Sequence, residues 1–151
     1  MCSSDLSQLQ VVAPKGSRAK VEKAVPVDTT APDFGDPNVE FMTVPGTRDR
    51  EAALMVRTPN GTTLVLNDLV GNIRDASGIG RWLLGLAGFA GKSARIPRVV
   101  KVNRVKDANA LRTQLLRWAE TASLKPILVS HGEPIEADPR QTLRDLAGSL
   151  A

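Results

Sequence analysis

Pro126-Ile127-Leu128-Val129-Ser130-His131-Gly132-Glu133-Pro134 is the stretch whose reading decides the fold. Three branched apolar residues run into the sole histidine of the chain, and a glycine follows at once. An apolar run of this length, bounded by turn residues, reads as a buried strand. A side chain at the tip of such a strand stands at the rim of a sheet, where binding sites are built. Thr63-Leu64-Val65-Leu66-Asn67-Asp68 has the same shape and is followed by Leu69-Val70-Gly71-Asn72. Asp68 and His131, each expected at a strand end, are therefore the candidate site residues.

Working outward, Glu51 to Thr58 and Thr62 to Asn67 read as two strands joined around Pro59-Asn60-Gly61. Asn-Gly tolerates positive φ at both positions and is a strong hairpin signal. Asn60-Gly61-Thr62 also spells a glycosylation acceptor, but a tight turn is the better reading. Val39 to Val44 reads as a strand closed by Pro45-Gly46. Before it come a short strand at Gln8 to Ala13, a helical turn at Arg18 to Lys23, an extended piece at Ala24 to Val27 and a loop at Thr29 to Pro37.

On the C-terminal side, Ile79 to Ala90 is apolar nearly all round and reads as a buried helix ended by Gly91. Asp107 is a good N-cap, and Leu111, Leu115, Trp118 and Ala122 recur at helical spacing, which predicts an amphipathic helix over Ala108 to Ser123. Trp82 and Trp118 are expected in the core. Asp138 caps a last helix, with Pro139 at its first position and Gln141 three residues after the cap. Leu143, Leu146, Ala147 and Leu150 are its core face. Strands first, then helix, helix, strand and helix define a mixed α/β (α+β) fold of antiparallel hairpins with covering helices.

The totals narrow the function. The 151 residues suit one domain with a real core. Aromatic residues make up 3% and tyrosine is absent, which argues against a module that stacks bases. The net charge of +4 and pI near 9.6 are mildly basic and read as a solvated surface. Only Lys92 to Lys106 gathers positive charge, through Lys92, Arg95, Arg98, Lys101, Arg104 and Lys106, and Pro97 with Val99-Val100 is expected to break any helix there. No nucleic-acid partner is favoured. Gly85 to Ser93 misses the phosphate-cradling loop spacing by one residue, so no nucleotide cofactor is expected. The single cysteine, Cys2, excludes an internal disulfide and a cysteine metal cluster. No stretch is long enough to span a membrane, the N-terminus lacks a signal pattern, and the default compartment is the cytoplasm.

Met1-Cys2-Ser3-Ser4-Asp5-Leu6 reads like one frame of a common sequencing adapter with GTG taken as the start codon. Residues 1–6 are accordingly expected to be non-native, and residues 7–151 to form one truncated domain. The bland alternative is an ordinary polar start.

The order of these motifs is specific. The Thr63–Asp68 strand, a mostly apolar helix, an amphipathic helix and Ile127-Leu128-Val129-Ser130-His131-Gly132 together resemble the C-terminal half of a metallo-β-lactamase-fold protein, over roughly Val39 to Ala151. The Asn-Asp and Ser-His-Gly-Glu-Pro wording is most similar to a branch of that family whose activity is not assigned. The resemblance implies a partial αββα sandwich. It implies that Asp68 bridges two metals, zinc or iron, and that His131 completes the second. In the intact parent, metal-activated water would attack an ester, thioester, lactam or phosphoester of a small-molecule substrate. Glu133 could serve the other ring nitrogen of His131, although a solvated loop charge is the plainer role. The sequence departs from the family in one large respect: H-x-H-x-D-H and a further middle histidine are missing. A catalytic zinc usually takes three protein ligands, so this chain alone is expected to hold no metal and to be inactive.

Two other readings stay open: a complete non-enzymatic interaction domain of the same fold, and a basic nucleic-acid-binding module built on Lys92 to Lys106. A layered fold cut near its middle is also expected to expose a sheet face and to self-associate or aggregate.

Overall fold

The computed structural model describes residues 9–73 and 93–150. The helix expected at Ile79 to Ala90, its Trp82, the segment 85–92 and residues 1–6 lie outside the described residues.

The hairpin is the local nucleus of the sheet. Strands β2 (Ala52–Thr58) and β3 (Gly61–Asn72) pair antiparallel, with Thr58 opposite Gly61. The turn is thus built on Pro59 and Asn60, one residue earlier than the expected Asn60-Gly61 pair, and of these three residues Gly61 alone has positive φ, 134°. Proline takes the first central position because its ring presets the φ that position needs. Asn60 N–H donates to Thr58 Oγ1, whose hydroxyl donates to the Gly61 carbonyl. Gly61 is required by proximity as well, because a Cβ there would lie 2.8 Å from the Ser123 carbonyl oxygen.

Strand β1 (Val39–Thr43) adds antiparallel to β2, and β4 (Leu124–Gly132) adds parallel to β3, giving the order β1-β2-β3-β4. A parallel neighbour cannot be reached by a tight turn and needs a crossover. The chain between β3 and β4 includes α2 (Arg98–Arg104) and α3 (Ala108–Ala119). Helix α2 corrects the expectation that Pro97 and the valines would break a helix. Pro97 sits just before the first turn, where its missing N–H costs nothing, and Val100 is buried. Tertiary burial outweighs the weak helix propensity of valine.

Helix α3 is capped as expected, Asp107 accepting from Ala110 N–H. It ends at Ala119, four residues before the expected Ser123, and Ala122 is exposed rather than in the core. The reason lies across the structure. The carbonyls of Ala122 and Ser123 accept from the Thr62 hydroxyl and Thr62 N–H, which docks the end of the crossover on the start of β3. The final helix, α4 (Pro139–Gly148), starts where expected, with Asp138 accepting from Gln141 N–H.

The core lies on one face of the sheet. Ala53, Met55, Leu64, Leu66 and Ile127 meet Leu111, Leu115 and Trp118 of α3 and Leu143 and Leu146 of α4. Leu150 is partly buried against the same cluster. The N-terminal segment contributes α1 (Arg18–Val21), while the strand expected at Gln8 to Ala13 reduces to one bridge between Val12 and Thr29. Ala24 lies in a turn rather than an extended piece. The described residues therefore form a mixed α/β fold around a four-stranded mixed sheet. Among them, no helix is long and apolar enough to cross a membrane.

Gly46 shows how tightly the layers join. Its φ is 80°, and its carbonyl accepts from Lys106 and Asp107 N–H at the start of α3. A Cβ there would overlap the Asp107 carbonyl oxygen. Gly46→Ala is expected to destabilise by more than about 1 kcal/mol in urea denaturation, whereas Gly148→Ala, with open space around it, should be neutral or gain up to ~1 kcal/mol.

Candidate functional site

Strand β3 is longer than expected, and Asp68 lies inside it instead of at its end. The parallel register with β4 shifts once between Thr62 and Leu64, runs regularly from Leu64↔Ile127 to Leu66↔Val129 and then slips again, resuming at Gly71↔His131. Asn67 to Val70 therefore face Ser130 alone, and β3 bulges there. Asp68 nevertheless keeps the offset of 63 residues that relates Leu66 to Val129, and this sets it beside the tip of β4. Asp68 Oδ1 lies 3.1 Å from His131 Nε2, so the structure joins the two residues singled out in the sequence. Ser130 Oγ donates to Asn67 Oδ1 at 2.7 Å and ties the bulge to β4. His131 is 45% exposed on its side chain and Asp68 30%, so the pair opens to solvent.

The turn after His131 is clamped by Asn72, which is buried. Its side-chain amide donates to the Glu133 carbonyl, and its own carbonyl accepts from Glu133 N–H. Gly132 has φ 106°, and a Cβ there would overlap the Asn72 carbonyl, so both the backbone and the space require glycine. Glu133 is exposed, and these bonds engage it through its backbone.

Two further residues complete the cluster, and sequence reading missed the role of both. Arg104 Nη2 lies 2.9 Å from Asp68 Oδ2, and Arg104 Nη1 pairs with Glu51 Oε1. Glu51 follows Arg48-Asp49-Arg50 and looked like the polar start of a strand, yet it is 1% exposed. Its second oxygen, Oε2, is buried and has no hydrogen-bond partner among the described residues. Arg104 belonged to a basic run that read as surface. No local pattern marks a charge for burial; only the meeting of α2 with β2 and β3 does so.

Burial raises the Glu51 pKa above its ordinary value, and the hydrogen bond and charge of Arg104 offset only part of that rise. Burial also pulls the Arg104 guanidinium down, but the Glu51 and Asp68 carboxylates outweigh it, so its pKa is raised. Arg104 is a fixed cation between two acids.

Imidazole nitrogen beside carboxylate oxygen is a donor set that suits zinc or iron. The described residues do not complete it. Among the described residues no group of three or more His, Cys, Asp and Glu side chains is placed to hold a metal ion. The far oxygen of Asp68 is already taken by a guanidinium. As it stands, the arrangement is a carboxylate-imidazole dyad anchored by an arginine. A scan against known protein families finds no match to this chain, and a search of curated proteins finds none either.

The cluster makes two predictions. Glu51 takes up its proton at a higher pH when folded than when unfolded. The stability this contributes is complete below the unfolded value near 4.5 and is lost as pH rises through the higher folded value. Urea titrations across that range should therefore show the wild type losing stability relative to Glu51→Gln as pH rises, with the difference levelling off above the folded pKa. Separately, Arg104→Met leaves Glu51 buried without its cation and should cost about 3 kcal/mol, while adding Glu51→Leu to it should restore much of that loss.

Proposed function

We propose that this chain is the C-terminal part of a metal-dependent hydrolase with the metallo-β-lactamase fold. The dyad would then be its share of a dinuclear pocket, and the four-stranded sheet with its helix layer one half of an αββα sandwich. The observation that carries the reading is the 3.1 Å approach of Asp68 to His131 from neighbouring parallel strands. It agrees with the order of motifs in the sequence and with the ligand roles the resemblance implies. On this reading Asp68 and His131 are the donors the described residues contribute, and hydrolysis of an ester-, thioester-, lactam- or phosphoester-type bond would belong to the longer parent.

A second reading has an observation of its own. Arg104 already pairs with both Asp68 and Glu51, as it would in an interaction domain that keeps the fold without metals. The nucleic-acid reading is weaker, because Arg104 is engaged with acids and Lys101 Nζ donates to the Ser149 carbonyl, which leaves less of the basic run for phosphates.

Recovering the coding DNA upstream of Leu6 separates these readings. The hydrolase reading expects an in-frame H-x-H-x-D-H, and about two equivalents of metal in the extended protein by elemental analysis. Asp68→Ala or His131→Ala in that protein should each weaken metal retention by about tenfold or more. The present chain, dialysed against zinc, should retain none stoichiometrically. An in-frame stop just upstream, or a metal-free extended protein, would leave the interaction domain standing.

A further inference from the structure

The face of the sheet opposite the core is apolar as well. Phe41, Leu54, Val65 and Leu128 are direct partners across all four strands and form one row. The N-terminal segment lies over part of this face without filling the space beneath it. A cavity of about 760 Å³ remains, with Phe41, Leu54 and Val65 on one wall and Val21 and Phe34 on the other. This volume falls within the roughly 300–1,000 Å³ of small-molecule sites.

The cavity has a charged end. Lys20, Arg50, Asp68 and Arg104 line it and also line a second cavity of about 300 Å³ that reaches His131. Arg104 is held by Glu51 and Asp68. Lys20 and Arg50 have no side-chain ion pair among the described residues, although both line the cavity. Their positions are set by backbone ties: Gly16 N–H donates to the Asp49 carbonyl and Ser17 Oγ to the Arg50 carbonyl, fastening α1 to the loop before β2. Arg48 and Asp49, just before Arg50, both hold left-handed backbone, with φ 56° and 55°. Non-glycine residues adopt that conformation where surrounding structure imposes it. Three cations against the two carboxylates leave one net positive charge at this end, enough for a monoanion.

We propose that this cavity binds an amphiphilic carboxylate. The apolar body lies along Phe41, Leu54 and Val65 beneath Phe34, and the carboxylate is met by Lys20 and Arg50. The site uses neither a metal nor the His131 ring, so its test is distinct from that of the hydrolase reading, which gives this sheet face to the second layer of the sandwich in the longer parent. Apolar contact supplies most of the affinity, and the two cations select the anion over the neutral molecule.

Titration calorimetry of the full chain with decanoate, decanol and acetate tests this. Decanoate should bind saturably with one equivalent per chain, at least about tenfold tighter than decanol, and acetate should not bind measurably. Lys20→Ala with Arg50→Ala should remove the preference for decanoate over decanol and leave decanol affinity unchanged. Val65→Trp should abolish binding of both. Should that variant fail to fold, transferred NMR contacts between decanoate protons and the Val65 methyls of the wild type serve instead, and their absence overturns the proposal. Equal affinity for decanoate and decanol in the wild type would overturn it. So would a dimer, seen by light scattering, that excludes decanoate, because a second copy would then be the occupant of this face.

Discussion

The parallel pairing of β3 with β4 is the constraint on which the rest depends. An antiparallel partner could have been joined by a short turn, but a parallel one obliges the chain to cross over and return. The return delivers α3 onto the sheet and leaves α2 beside the end of β3. The same pairing brings the only histidine beside Asp68, because the offset of Leu66↔Val129 carried on two residues sets position 68 opposite position 131.

Charge burial follows from this geometry. Helix α2 arrives at the sheet with Arg104 at its C-terminal end, and Glu51 stands at the entrance to β2. A buried carboxylate without a cation is costly, and one with a cation roughly breaks even. Pairing with Arg104 is what allows Glu51 to be enclosed, and the link from Arg104 to Asp68 carries that constraint to the solvent-exposed dyad. The arginine is thus both a fastener between α2 and the sheet and the group that sets the charge beside His131.

The sheet divides the molecule into two unlike sides. One side is closed by α3 and α4 over a continuous apolar cluster. The other carries an equally apolar row but receives a thin, largely irregular N-terminal cover, with Phe34 46% exposed and Leu128 38% exposed. A face of this kind is suited to receive something: the second layer of a sandwich, another copy, or a small amphiphile. The cationic mouth formed by Lys20 and Arg50 is the feature that favours the last.

Much of the local architecture was legible in the chain itself. The caps at Asp107 and Asp138, the Pro59–Gly61 turn region, the strand leading to His131 and the inward faces of α3 and α4 all follow from short-range physics: φ preferences, orphan N–H groups near a side-chain oxygen, and apolar periodicity. Asp68 and His131 could be singled out because each ends an apolar run. What the sequence could not decide was set by contacts between distant segments. The early end of α3 depends on Thr62 claiming two carbonyls, helix α2 persists because Val100 is buried, and Asp68 sits in mid-strand because β3 continues to Asn72. Glu51 and Arg104 were invisible as partners for the same reason, since whether a charged residue is solvated or enclosed depends on what packs over it and not on its neighbours in the chain. Periodicity and capping act over a few residues and are written locally, whereas burial of charge and strand register are properties of the assembled sheet.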